Sequence, residues 1–312
     1  MQDIARFGKA FVSNQIARVA PSLYVRLTGQ TGRGEGEVNV GEIAEYFRQC
    51  YADYAAQLNL DTAAFEDFLS GKTVLEYGPG DILGVALLLY AHGAAFVRCV
   101  DRFPLERISD TNAAVYRALI DSLVGEAHTR ACSAFREPGK PESGFLPEKV
   151  QYTVSRDGLA REHAGYDLVI SRAVLEHVNR LDQTLADVAA ALRKDGVSIH
   201  CVDLRSHGLD QHKPLDFLTW SDTTYGLMYS KKGFPNRWRL DKYREWVEQS
   251  GLRFKTLVPT EMLALSQIDD IASRLAGNFR AVPREELRWL GFWMVLEHRA
   301  QTPASSPERS TV

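Results

Sequence analysis

The chain has 312 residues but only four cysteines, Cys50, Cys99, Cys132 and Cys201, far apart and at no paired metal or redox spacing. They read as small buried residues in a reducing compartment, not as a disulfide framework or a zinc module. Long apolar runs are also missing, so no membrane span is expected. The opening MQDIARFGKAFVSNQ has no signal-peptide core. An excess of one charge is absent too: 37 Lys and Arg stand against 40 Asp and Glu, a formal charge of −3. The chain as a whole therefore lacks the electrostatic footprint of a nucleic-acid binder. No internal repeat is visible. The expectation is a cytoplasmic enzyme, with no nucleic-acid partner and no stable membrane insertion. Oligomeric state cannot be read from these features.

What is present is ordinary for a globular protein, 45% apolar and 25% charged residues, and the chain is long enough to bury a real core. Residues 1–70 read as helical, with a Gly-rich break at TGQTGRGEGE (28–37). Ile4, Phe7, Phe11 and Ile16 recur at helical spacing with Arg6, Lys9 and Arg18 between them. Such a stripe packs on its own domain or, as an alternative, lies on a membrane surface. After Gly71 strand-like and helical stretches alternate, which argues for a doubly wound, mostly parallel sheet. A helix is expected from Ile82 to Ala91 with Asp81 as its N-cap, and another over LDQTLADVAAALRKDG with a Gly stop. Two long pieces interrupt the alternation, about 123–149 and 204–237. The second carries Phe217, Trp220, Tyr225, Tyr229, Phe234 and Trp238, too many aromatics for disorder, and is expected to form an ordered cap. The tail from 300 to 312 has the composition of disorder.

The sharpest local signal is GKTVLEYGPGDILGVALL, residues 71–88. A phosphate-binding turn reads G-x-G-x-x-G. Gly78 and Gly80 fit, but Leu83 holds the third position and Gly84 comes one residue late. Glu76, two residues before Gly78, would repel a pyrophosphate and suits a ligand with an ammonium end. Asp101 closes the next strand, where a carboxylate can accept ribose hydroxyls. S-adenosylmethionine has both an ammonium end and a ribose, and no phosphate.

The set VLEYGPGD, CVDRF, YDLVISRAVLEHV and LRKDG resembles the class I S-adenosylmethionine-dependent methyltransferases, over about residues 71–203 and, by pattern, to about 299. The resemblance implies a seven-stranded sheet with its last strand antiparallel. It implies that Glu76 holds the methionyl amine, that Tyr77, Gly78 and Gly80 bring backbone to the cofactor, and that Asp101 binds the ribose. Arg102 and Phe103 would then lie beside the adenine, Asp157 would be the acid after the third strand, and Ser171 and Arg172 would line the cofactor floor. Ile82 stands where the family often has a third glycine. The implied organisation is an N-terminal helical cap (1–70), a cofactor-binding domain (71–299) with a substrate-cap insert (204–237), and the tail.

Methyl transfer to a hydroxyl or ammonium needs a general base as well as positioning. His177 after the fourth strand is the favoured candidate, with His207 and Asp203 after the fifth as the others. Arg205 could grip a substrate carboxylate. Trp220, Tyr225, Tyr229 and Trp238 could line a partly apolar substrate site, or form the cap's own core. Some relatives bind a metal through Glu, two residues, then Glu-His. Here Ala173 holds the first position, so Glu176 and His177 are left alone and no metal is expected. The reading is methyl transfer to a small molecule, to oxygen first and nitrogen second. Its rivals are an NAD(P)-dependent oxidoreductase, a non-catalytic S-adenosylmethionine-binding module, and a surface enzyme anchored by residues 1–20.

Overall fold

The computed structural model describes residues 2–29, 39–210 and 213–299, and of residues 2–7 the helical backbone alone. Most of the glycine-rich break and the tail expected to be disordered lie outside the described residues. Four helices come first: α1 (Gln2–Val19), α2 (Pro21–Thr28), α3 (Val40–Gln57) and α4 (Thr62–Leu69). The alternating region follows as β1 (Thr73–Tyr77), α5 (Gly84–Ala91), β2 (Phe96–Asp101), α6 (Asp110–Asp121), α7 (Gly125–Ser133), β3 (Val150–Val154), β4 (Tyr166–Arg172), α8 (Leu181–Ala191) and β5 (Leu192–Asp203). The chain ends with α9 (Asp222–Tyr229), α10 (Leu240–Gln249), β6 (Leu252–Met262), α11 (Leu265–Ala272), α12 (Gly277–Arg280), α13 (Arg284–Leu287) and β7 (Trp289–His298).

The seven strands form one sheet in the order β3-β2-β1-β4-β5-β7-β6. Strands β1 to β5 run parallel, and β7 runs antiparallel between β5 and β6. The order reverses beside β1, so the C-terminal ends of β1, β2 and β4 open onto one crevice, the place where sheets of this kind bind ligands. This is the α/β architecture expected from the sequence.

Local boundaries differ from the sequence reading in three instructive places. Helix α5 starts at Gly84, not Ile82, and Asp81 is buried rather than capping it. Gly84 faces α3 so closely that a Cβ there would lie 2.4 Å from the Phe47 ring. The late glycine thus serves helix–helix packing. Helix α8 stops at Ala191, five residues before Gly196, because β5 already begins at Leu192 opposite Tyr166 and loops out residues before pairing resumes at Val197. The segment 123–149 is ordered by α7 and by the stacked rings of Phe135 and Phe145.

The helical N-terminus divides its packing. Helices α3 and α4 join the sheet's own core: Phe47, Tyr54 and Phe65 are buried with Val74, Leu87 and Trp293. Helix α1 instead docks on the inserted region, where the Asn14 side chain donates to the Leu227 carbonyl (2.9 Å) and accepts from the Lys231 N–H (2.8 Å). The cap has its own core of Phe217, Leu218, Tyr225, Met228 and Tyr229. That core is completed by Ile268, Ile271 and Phe279 from the β6–β7 connection. The cap is therefore built from two insertions, of which the sequence pattern announced one. No described helix is long and apolar enough to cross a membrane.

Candidate cofactor and acceptor site

The turn after β1 is shaped by its neighbours. Gly78 has φ +64° and Gly80 φ +81°, a backbone region that favours glycine. A Cβ on Gly78 would also lie 2.4 Å from Val174 Cγ2, so the second residue past β4 presses directly on the turn. The Gly78 N–H is used on the Val100 carbonyl, which ties the turn to the end of β2.

Two carboxylates flank this turn. Glu76 in β1 and Asp101 at the end of β2 are each 6% exposed. The Cys99 thiol donates to the Glu76 carboxylate at 3.5 Å. Burial, reinforced by the nearby Asp101 charge, pushes the Glu76 pKa up to about 7. Asp101 accepts from the Phe103 N–H at 3.1 Å, and burial raises it to about 6 despite that bond. Among the described residues no side-chain cation is bonded to either acid, and two such buried acids are costly in isolation. They fit a ligand with a cationic end near β1 and hydroxyls near β2.

Beyond Asp101 lies a cavity of about 440 Å³ lined by Arg102, Phe103, Asp157 and Leu159 from the sheet side and by Ala17, Arg18 and Pro21 from the N-terminal helices. Ala17 and Tyr24 pack with Phe103 and Leu105, so α1 and α2 close over the tip of β2. One nitrogen of the half-buried Arg102, Nη1, is buried without a hydrogen bond. Asp157 is held by the Ser155 hydroxyl (2.8 Å) and paired with Arg161.

Other expected contacts point elsewhere. The Tyr77 hydroxyl donates to Asp187 at 2.6 Å on the far face of the sheet, so only its backbone is near the turn. The Ser171 hydroxyl and His200 Nδ1 are 2.7 Å apart inside the sheet, and both residues are fully buried. Arg172 pairs with Asp53 of α3 at 2.6 Å and lies over the Trp293 ring, bracing α3 to the sheet. Arg205 is already engaged with Asp203, its Nε at 2.9 and 3.0 Å from the two oxygens, which leaves it poorly placed to grip a substrate carboxylate. Tyr225 and Tyr229 are buried in the cap core, with Trp220 packed against it, while Trp238 stacks edge-on with Trp246 under the sheet.

At the C-terminal ends of β4 and β5 the chain brings together Glu176, His177 and His207. One ligand-capable atom from each lies within 4.8 Å of the others. The two imidazole rings meet edge to face at 4.8 Å. Glu176 Oε1 accepts from the Asp203 N–H at 3.1 Å, whereas its Oε2 is buried with no partner, and so is His177 Nδ1. Burial lowers the His177 pKa to about 3. It is neutral at working pH and offers a lone pair, but a proton would be held there only at great cost, which argues against it as the preferred base. His207 is partly exposed, 3.9 Å from Asp203, at the unusual φ of +50°. The sequence spacing offered Glu176 and His177 alone; the third member comes from beyond β5, thirty residues on.

A family model described as a methyltransferase domain matches residues 46–257. No curated protein matches the chain in sequence. Among solved structures it is similar to an S-adenosylmethionine-dependent methyltransferase from Mesorhizobium loti, at 15% identity and TM-score 0.43, covering 80% of this chain and 98% of that one. It is similar to magnesium protoporphyrin IX methyltransferase from Synechocystis PCC 6803, solved with bound SAH, at 16% identity and TM-score 0.44, covering 91% and 100%. A TehB-like S-adenosylmethionine-dependent methyltransferase from Corynebacterium glutamicum ATCC 13032 Kitasato gives 15% identity and TM-score 0.37, covering 82% and 98%.

Proposed function

The chain belongs to the methyltransferase-domain family, and on that premise we propose that it methylates a small molecule in the cytoplasm, on oxygen first and nitrogen second. The cofactor is S-adenosylmethionine. When bound, it supplies an activated methyl group: the C–S bond breaks as the bond to the acceptor forms, and the electron pair returns to sulfur. The observation that carries the site assignment is the pair of buried acids on either side of the glycine turn, Glu76 and Asp101.

In this reading Glu76 holds the methionyl ammonium, which gives its buried carboxylate a counter-charge that no described side chain bonded to it provides. Asp101 accepts from the ribose hydroxyls, while Gly78 and Gly80 let the backbone approach. The cavity past Asp101, between Phe103, Leu159 and Asp157, takes the adenine. Helices α1 and α2 and the double-insert cap keep water from the crevice, which favours displacement at a sulfonium. The acceptor enters over the ends of β4 and β5, beside His177, where His207 with Asp203 next to it is placed to bare its lone pair.

Incubation with methyl-labelled S-adenosylmethionine and a metabolite extract tests this reading. Label recovered in a low-molecular-weight product supports it. Label recovered only in protein or RNA, when those are offered alongside, would overturn the substrate class.

A further inference from the structure

We propose that Glu176, His177 and His207 bind one divalent transition-metal ion at the ends of β4 and β5. The first support is geometric. Three donor atoms from two separate strand ends lie within 4.8 Å of one another. A tetrahedral ion with bonds of about 2.1 Å holds its ligands roughly 3.4 Å apart. The donors therefore need to close by up to about 1.4 Å, and the partly exposed His207 side chain can supply that movement without disturbing the sheet.

The second support is independent of the spacing. Glu176 is 1% exposed, and its Oε2 has no hydrogen-bond partner. His177 Nδ1 is buried and equally unpartnered. Buried polar atoms are almost always satisfied, and here two of them belong to the same three-residue group. A cation would satisfy both at once. The Arg205 guanidinium is bonded to Asp203, and its charge offsets the burial of Glu176 only in part.

The donor types narrow the ion. One carboxylate and two imidazoles suit zinc, manganese or iron(II), whereas magnesium and calcium prefer all-oxygen sites. Three protein ligands leave at least one coordination position open, the pattern of catalytic sites. Asp203 stands beside His207 at 3.9 Å as an outer-shell partner. The metal site stands on this geometry alone. Its role in methyl transfer rests on the function proposed above: an acceptor oxygen on the ion would lose its proton to solvent more readily, and its lone pair would then be free to take the methyl group.

The test uses the full-length protein, stripped by chelator and dialysed, with zinc as the probe. Calorimetry and elemental analysis after gel filtration should give one zinc per chain. His207→Ala, on an exposed loop, should lower zinc affinity at least about tenfold with the denaturation midpoint of the metal-free protein unchanged; Glu176→Gln should lower zinc affinity by a similar factor without lowering that midpoint. Cobalt substitution should give a ligand-field spectrum in the wild type that His207→Ala abolishes. Absence of stoichiometric zinc, or wild-type affinity in His207→Ala, would overturn the site. S-adenosylmethionine titrated into the same samples separates the two proposals: if zinc binds and the cofactor does not, the metal site stands and the functional reading falls.

Discussion

Replacing Glu76 by Gln should make the cofactor-free protein more stable while weakening its hold on the cofactor. In the folded chain burial is the largest cause lifting the Glu76 pKa, from 4.5 to about 7, with the Asp101 charge adding to it and the Cys99 thiol opposing it. Below about pH 4.5 both folded and unfolded states hold the proton and there is no penalty. Between that pH and about 7 the unfolded chain loses its proton while the folded chain keeps it, so stability falls as pH rises. Above 7 the buried carboxylate is ionised and the full penalty applies, about 3 kcal/mol. Glutamine has nearly the same shape and does not titrate. The stability of Glu76→Gln relative to wild type should therefore climb by roughly 2 kcal/mol between pH 5 and pH 8, read from urea denaturation at each pH without cofactor. In the same variant S-adenosylmethionine should bind at least about tenfold more weakly, because the ammonium has lost its counter-charge. Parallel stability profiles for the two proteins, or unchanged cofactor affinity, would refute the reasoning.

Asp101→Ala should weaken cofactor binding by about ten- to a hundredfold, since each charge-assisted hydrogen bond is worth roughly 1.5–3 kcal/mol before water compensates; calorimetry on the folded variant checks it. Gly84→Val should cost about 1–3 kcal/mol by overpacking against Phe47, seen as a drop in denaturation midpoint with cofactor affinity per folded molecule unchanged. His207→Ala should lower turnover on the true substrate by about 10²–10⁴ and leave cofactor affinity nearly intact; equal turnover in the two proteins would remove His207 from the reacting end.

Much of the sheet was legible because its signals are local. The β1 run, the glycine turn and the acid closing β2 lie within thirty residues of one another, and backbone sterics and strand alternation dictate their form. What escaped was what only tertiary packing decides. Gly84 looks like a misplaced phosphate-loop glycine until Phe47 of α3 is seen against it. Arg172 reads as a cofactor-floor residue until Asp53 claims its guanidinium. The aromatic insert could have lined a substrate site or formed a core, and the apolar face of 263–288, which completes that core, carries no motif. His207 joins Glu176 and His177 only because β4 and β5 are neighbours in the sheet.

The central claim is a site shaped for S-adenosylmethionine at the β1 turn, and direct titration of the wild-type chain with that cofactor and with NAD(P)H tests it. The expected result is one S-adenosylmethionine per chain, displaced by S-adenosylhomocysteine, weakened in both Glu76→Gln and Asp101→Ala, and no measurable nicotinamide binding. Nicotinamide binding without S-adenosylmethionine binding, or S-adenosylmethionine binding indifferent to both substitutions, would contradict it.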